Sequence, residues 1–239
     1  MLGLVLFAIA GFLMLTFLAV IVVTAAHHLP RFRDINPTAV FKNVAFGVAL
    51  QTAAYAVALG FMALLIARKS QRGFFREISW NAPTARGGLT AIFGGVAMAV
   101  GSLMCSVLLQ KWIPKELPID SYMKTRASAY AVALFGILVA PLMEELFFRG
   151  FLYPALARKI GVGASVLFTA AGFALMHEGQ LARAWAPLLV IFLVGVCLTV
   201  VRAATKSVAF TVLMHVSYNT TLFALMFLVT EGFRQMKQG

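Results

Sequence analysis

Charged residues are scarce in this sequence, and acidic residues are the scarcest of them. Asp, Glu, Lys and Arg make up 12% of the 239 residues, only eight residues are acidic, and 62% are hydrophobic. Soluble domains are about half apolar and about a quarter charged. No hydrophilic stretch is long enough to fold alone. The composition therefore indicates a single integral-membrane domain over residues 1–239 rather than a soluble protein.

Cysteine is almost lacking too. Cys105 and Cys197 both lie in apolar runs, so we expect core-packing thiols and neither a disulfide framework nor a structural zinc site. The net charge of +12 comes from basic residues scattered between apolar runs. That distribution predicts loops that contact anionic lipid headgroups, and it lacks the continuous basic stripe of a nucleic-acid interface.

Long apolar runs are what the sequence has in abundance. A helix needs about 20 apolar residues to cross the hydrocarbon core of a bilayer. The first run lacks a basic segment before it and is too long for a signal peptide, so we expect a retained span. Small residues in the third run predict close helix packing, above all Gly95 and Ala99, four residues apart. The predicted spans are residues 2–26, 44–67, 89–109, 127–143, 162–176, 186–201 and 208–230.

The fourth run has two interpretations. Apolar residues resume after a charged patch, which predicts a helix that continues to about residue 156 and is kinked or restarted at Pro141. If the stretch after Gly150 crosses separately, the count becomes eight. The sequence therefore predicts an all-α transmembrane bundle of seven to eight spans.

The charged patch "EELFFR", residues 144–149, lies where ionisable groups are costly. Glu145 and Arg149 are four residues apart and share a helix face, so they predict a structural ion pair. Glu144 points about 100° away and has no basic partner in the motif. We expect it to be a general base that activates water. The alternative is a protonated, merely hydrogen-bonded Glu144.

Two other helices carry residue types suited to catalysis. "FALMH" ends at His177, and "HVSYN" places His215 and Asn219 on one helix face. An acid, two imidazoles and an amide can activate water and stabilise an oxyanion. His177, His215 and Glu144 are also a possible ligand set for a divalent metal such as zinc. The sequence has no HExxH motif, so the usual zinc-binding helix is not indicated.

In this order the three motifs fit the patterns EExxxR, FxxxH and HxxxN. Together they resemble the CPBP family of intramembrane proteases, the CAAX protease and bacteriocin-processing group that includes the Rce1-type prenyl endopeptidases. The resemblance covers roughly residues 125–230. It implies a helical bundle, commonly of eight spans, with an intramembrane cavity open to one side.

The resemblance also implies roles for individual residues. Glu144 would activate the water, and Glu145 and Arg149 would maintain the helix arrangement. His177 would help bind the water or a metal, whereas His215 and Asn219 would stabilise the oxyanion. Both zinc-type and metal-independent water activation remain open.

The implied function is that of an intramembrane endopeptidase in a bacterial or archaeal cytoplasmic membrane. Its substrate would be a peptide or protein at the membrane, with prenylated and unprenylated substrates as alternatives. A second hypothesis is a non-enzymatic protein of the same fold, acting in bacteriocin self-immunity or scaffolding. A third is a transporter or proton conductor. The third is disfavoured because no short, Gly/Pro-broken helices occupy matching positions in two halves.

Overall fold

The protein is all-helical over residues 43–235, which are the residues that the computed structural model describes. The predicted first span, residues 2–26, lies outside them. Within this part of the chain there is no β-strand, and the predicted all-α membrane bundle is confirmed. The helices are α1 (Val44–Lys69), α2 (Phe74–Glu77), α3 (Ala85–Leu108), α4 (Arg126–Ile160), α5 (Val162–Leu175), α6 (Trp185–Thr205) and α7 (Val208–Val229).

Five of these helices are long and apolar enough to cross a membrane, namely α1, α3, α4, α6 and α7. Helix α5 has 14 residues, which gives about 21 Å of helix against a hydrocarbon core of about 30 Å. The predicted fifth run is therefore too short to cross as a straight helix. The protein is an integral membrane protein, whereas the total of seven to eight spans stays a prediction.

Helix α4 is one continuous helix of 35 residues, so neither a restart at Pro141 nor a separate crossing after Gly150 is correct. The helix instead contains two wider π-helical segments, Phe135–Val139 and Leu146–Leu152. Each one ends shortly before a proline, Pro141 or Pro154. Because a proline has no backbone N–H and its ring collides with a carbonyl in a regular helix, a π turn lets the helix continue.

Helix α7 packs along α3, and α6 packs against α5, with the middle of α4 in contact with α7. Two glycines permit the closest approaches. A Cβ on Gly95 would collide with the carbonyl oxygen of Met214 on α7, and one on Gly195 would lie 3.1 Å from Cα of Ala170 on α5. The predicted close packing of α3 at Gly95 and Ala99 is confirmed, and both residues are buried.

Side-chain caps fix where the functional helices begin. The hydroxyl of Thr125 accepts a hydrogen bond from the backbone N–H of Ser128 at the start of α4, and the hydroxyl of Ser207 accepts one from Phe210 at the start of α7. Such caps satisfy backbone donors that the first turn of a helix leaves free. They mark the starts of α4 and α7, which carry most of the predicted site. Cys105 and Cys197 are free thiols and half-buried.

Candidate active site

A fully buried ion pair lies at the centre of the bundle. Arg149 donates from Nη1 to Oε1 of Glu145 at 2.9 Å, and neither side chain is exposed. The same guanidinium donates from Nη2 to the carbonyl oxygen of Gly195 at 3.0 Å and from Nε to the hydroxyl of Thr199 at 3.3 Å. Its carbon Cζ lies 4.6 Å from the ring centre of Phe173. Arg149 therefore links α4 to α5 and α6, and the structure brings the two predicted partners together.

His215 lies between the two adjacent glutamates. Its Nδ1 is 3.0 Å from Oε1 of Glu145, and its Nε2 is 3.9 Å from Oε2 of Glu144. Because a carboxylate only accepts hydrogen bonds, Nδ1 is the donor in the first contact. A neutral His215 therefore carries its proton on Nδ1, and the unprotonated Nε2 faces Glu144. Glu145 thus has two functions in the geometry, since it pairs with Arg149 and orients the imidazole.

Glu144 points into the protein and is 8% exposed. Its Oε2 faces His215, and its Oε1 accepts a hydrogen bond from the hydroxyl of Tyr55 on α1 at 3.2 Å. Tyr55 is not among the predicted site residues, because nothing in a tyrosine within an apolar run indicates which buried acid it meets. Among the described residues, Glu144 has no Lys or Arg partner, as its position in the motif predicts, but it does have a hydrogen-bond donor.

His177 lies in the turn that follows α5. Its Nδ1 is 2.8 Å from the carbonyl oxygen of Phe173, so Nδ1 is the donor and a neutral ring has its free lone pair on Nε2. The ring of Phe173 contacts His177 with centroids 4.8 Å apart and His215 with centroids 5.9 Å apart. Phe173 is therefore in contact with both imidazoles. His177 lies near His215 through this shared contact and makes no direct hydrogen bond to Glu144.

Asn219 contacts the first π-helical segment of α4. Its Nδ2 donates to the carbonyl oxygen of Gly136 at 2.6 Å. In the π-helical pattern a carbonyl bonds to the N–H five residues on, as Phe135 does with Ala140. The equivalent partner of Gly136 would be Pro141, which has no N–H. The Asn219 amide supplies the missing donor, and its second Nδ2 hydrogen remains for a ligand.

A residue that is not among the predicted site residues completes the second π-helical segment in the same way. The carbonyl oxygen of Arg149 has Pro154 as its partner five residues on, so no backbone N–H reaches it. Arg202, a buried residue of α6, donates to it from Nε at 3.1 Å. A basic residue directly after the sixth apolar run was the available signal.

Residues 126–221 match the family model for Rce1-like proteins, described as type II CAAX prenyl endopeptidase Rce1-like. The match shows that this part of the chain is similar to Rce1-like proteins. The resemblance predicted from the three motifs is confirmed. Separate comparisons with curated proteins and with solved structures found no match.

The Rce1-like segment begins at the first residue of α4 and ends within α7. It includes all six of the motif residues assigned above, whereas Tyr55 lies outside it. Together with the apolar helices, the match supports an integral membrane peptidase acting on a peptide in a lipid environment. The predicted bacterial or archaeal membrane stays a prediction.

The predicted metal ligands are not gathered into one site. Within residues 43–235, no three His, Cys, Asp or Glu side chains are arranged to hold a metal ion. Glu144 and His215 are close, but His177 joins them only through Phe173. A zinc site with protein ligands needs at least three of them. The side chains in this arrangement do not fit such a site.

Proposed function

We propose that the protein is an intramembrane endopeptidase in which Glu144 activates a water molecule. One observation carries this proposal: Oε2 of Glu144 and Nε2 of His215 face each other at 3.9 Å in a buried site. This separation is too long for a direct hydrogen bond and suits a water molecule that bonds to both atoms. The match of residues 126–221 to a peptidase family supports the same reaction.

In this reaction, Glu144 is the only protein group that takes up and releases a proton. Its carboxylate takes one proton from the water while the water oxygen forms a bond to the carbonyl carbon of the peptide. The tetrahedral intermediate then breaks its C–N bond, and Glu144 returns the proton to the leaving nitrogen. The products are a free carboxylic acid and a free amine.

The imidazoles and the amide assist this reaction. In His177 and in His215, the neutral ring carries its proton on Nδ1 and presents Nε2 as an acceptor that orients the water. The role in binding the oxyanion that the resemblance implies for His215 requires the imidazolium form, in which Nε2 donates. Asn219 needs no such change, because one of its amide hydrogens bonds to Gly136 and the other is available to the oxyanion.

The decisive variant is Glu144→Gln, which keeps the size of the side chain and removes the base. Purified protein in liposomes would be given an internally quenched peptide ending in a CAAX sequence. We expect the cleavage rate to fall by about 10²–10⁴-fold. The matched control is Glu116→Gln, which changes an exposed carboxyl in the loop before α4 and should leave the rate unchanged. Cleavage by Glu144→Gln within tenfold of wild type would exclude Glu144 as the base.

The substrate class and the metal question need separate measurements on the same preparation. Cleavage of the peptide with and without a farnesyl group on its cysteine distinguishes a prenyl-dependent enzyme from a general one. Metal content, and activity after dialysis against a chelator, test the metal-independent chemistry. A protein that cleaves neither peptide, but whose Glu144→Gln variant still protects cells from a bacteriocin, would favour the non-enzymatic alternative.

A further inference from the structure

Tyr55 reaches the site from α1, outside the segment that matches the Rce1-like family. Its hydroxyl lies 3.2 Å from Oε1 of Glu144, across 89 positions of sequence. Its ring stacks on Phe135 of α4, with centroids 6.2 Å apart and planes within 6° of parallel. The neighbouring Ala54 is buried, so this part of α1 faces the bundle. The stacked ring and the hydrogen bond together fix the position of the hydroxyl.

The direction of the hydrogen bond follows from its partner. An ionised carboxylate can only accept, so the Tyr55 hydroxyl donates to it. A hydrogen bond to a charged acceptor is stronger and more directional than one between neutral groups. The two oxygens of Glu144 therefore have different surroundings, because Oε1 bonds to Tyr55 and Oε2 faces His215.

We infer that Tyr55 is a positioning residue that fixes Oε1 of Glu144 and thereby makes Oε2 the oxygen that takes the proton from water. This inference rests on the proposed function, since it needs Glu144 to be the base. Without the hydroxyl, the carboxyl group is free to rotate about its last side-chain bond, which has a broad torsional profile. Either oxygen then faces His215, and the distance and angle to the water vary. Helix α1 thus completes the active site.

The test is Tyr55→Phe, which keeps the stacked ring and removes only the hydroxyl. We expect kcat for the quenched CAAX peptide to fall by about 10–100-fold with KM within twofold of wild type, because the change disturbs alignment rather than substrate binding. The matched control is Tyr130→Phe on α4, about 20 Å from Glu144 along the helix axis. Its hydroxyl contacts Nη2 of Arg126 at 3.4 Å, and its loss should leave both constants unchanged. A kcat within twofold of this control, or a rise in KM alone, would overturn the inference.

A second measurement does not depend on activity. The infrared carboxylate band of Glu144 is the band that disappears in Glu144→Gln. In Tyr55→Phe this band should shift, because one oxygen has lost its donor, whereas in Tyr130→Phe it should not. An unshifted band shows that the hydrogen bond is absent and overturns the inference. Cleavage retained by Glu144→Gln would instead remove the proposed function, so the two failures are distinguishable.

Discussion

Replacing Arg149 by Ala tests whether the buried ion pair stabilises the bundle. The guanidinium makes three hydrogen bonds, to Glu145, Gly195 and Thr199, and none of it is exposed. Its removal leaves the Glu145 carboxylate charged and buried. Oε2 of Glu145 already lacks a hydrogen-bond partner among the described residues.

The expected loss of stability depends on which hydrogen bonds Glu145 and Gly195 keep after Arg149 is replaced. Breaking a buried ion pair by removing one partner costs about 3–5 kcal/mol. Two observations favour the lower end of this range. Nδ1 of His215 still donates to Glu145 at 3.0 Å, and the carbonyl oxygen of Gly195 still accepts from the Thr199 hydroxyl at 2.7 Å. We therefore expect Arg149→Ala to lower the free energy of unfolding by about 3 kcal/mol.

Equilibrium unfolding in mixed micelles, with SDS as the denaturant and circular dichroism as the signal, measures this difference. The control is Arg183→Ala, which removes a pair that has the same chemistry but is exposed to solvent. Nε of Arg183 lies 3.7 Å from Oε1 of Glu178, and the side chains are 80% and 45% exposed. Exposed pairs contribute about 0–1 kcal/mol, so we expect a change within about 0.5 kcal/mol.

An Arg149→Ala protein whose unfolding free energy stays within about 1 kcal/mol of wild type would show that Glu145 is not a buried charge in need of a cation. The double variant Glu145→Gln/Arg149→Met gives an independent check. It removes both charges and keeps the volume, so it should be more stable than Arg149→Ala. A double variant less stable than Arg149→Ala would contradict the electrostatic explanation.

Two further substitutions test the packing and the π-helical segments. Gly95→Ala should lower the free energy of unfolding by about 1–3 kcal/mol, because the new methyl group collides with the carbonyl oxygen of Met214. In the control Gly101→Ala, the new methyl group has no heavy atom within 4 Å, so this change should be neutral or stabilising. Equal thermal stability of the two variants would contradict this packing. Arg202→Met should lower the free energy of unfolding by about 1–3 kcal/mol in the same SDS titration, because the carbonyl oxygen of Arg149 loses its donor. An unchanged titration midpoint would show that another group satisfies that oxygen.

Contacts within one helix could be predicted from the sequence, because the geometry of an α-helix fixes them. Residues four apart share a face. That rule alone predicted the contact between Arg149 and Glu145, which is present. The apolar composition likewise indicated the membrane class, since runs of about 20 apolar residues match the thickness of the hydrocarbon core.

Contacts between helices required the tertiary structure. The sequence predicted that Glu144 is not part of the ion pair. Only the packing of the helices placed His215 between the two glutamates and the Tyr55 hydroxyl next to Oε1 of Glu144. The course of α4 past Pro141 depended on a donor from another helix as well, because Asn219 satisfies the carbonyl oxygen that the proline leaves free. No local pattern encodes such a donor.

The physical reason is the difference between a helix and a bundle. Backbone hydrogen bonds set the spacing along a helix to 1.5 Å and about 100° per residue, whatever surrounds it. The register of one helix against another depends on which side chains allow the backbones to approach. Here that register depends on Gly95, where an added Cβ would collide with the backbone of α7, and on Gly195, where it would lie 3.1 Å from Cα of Ala170. The sequence therefore determines which side chains share a helix face, whereas Glu144, His215 and Tyr55 come together only when the helices pack against one another.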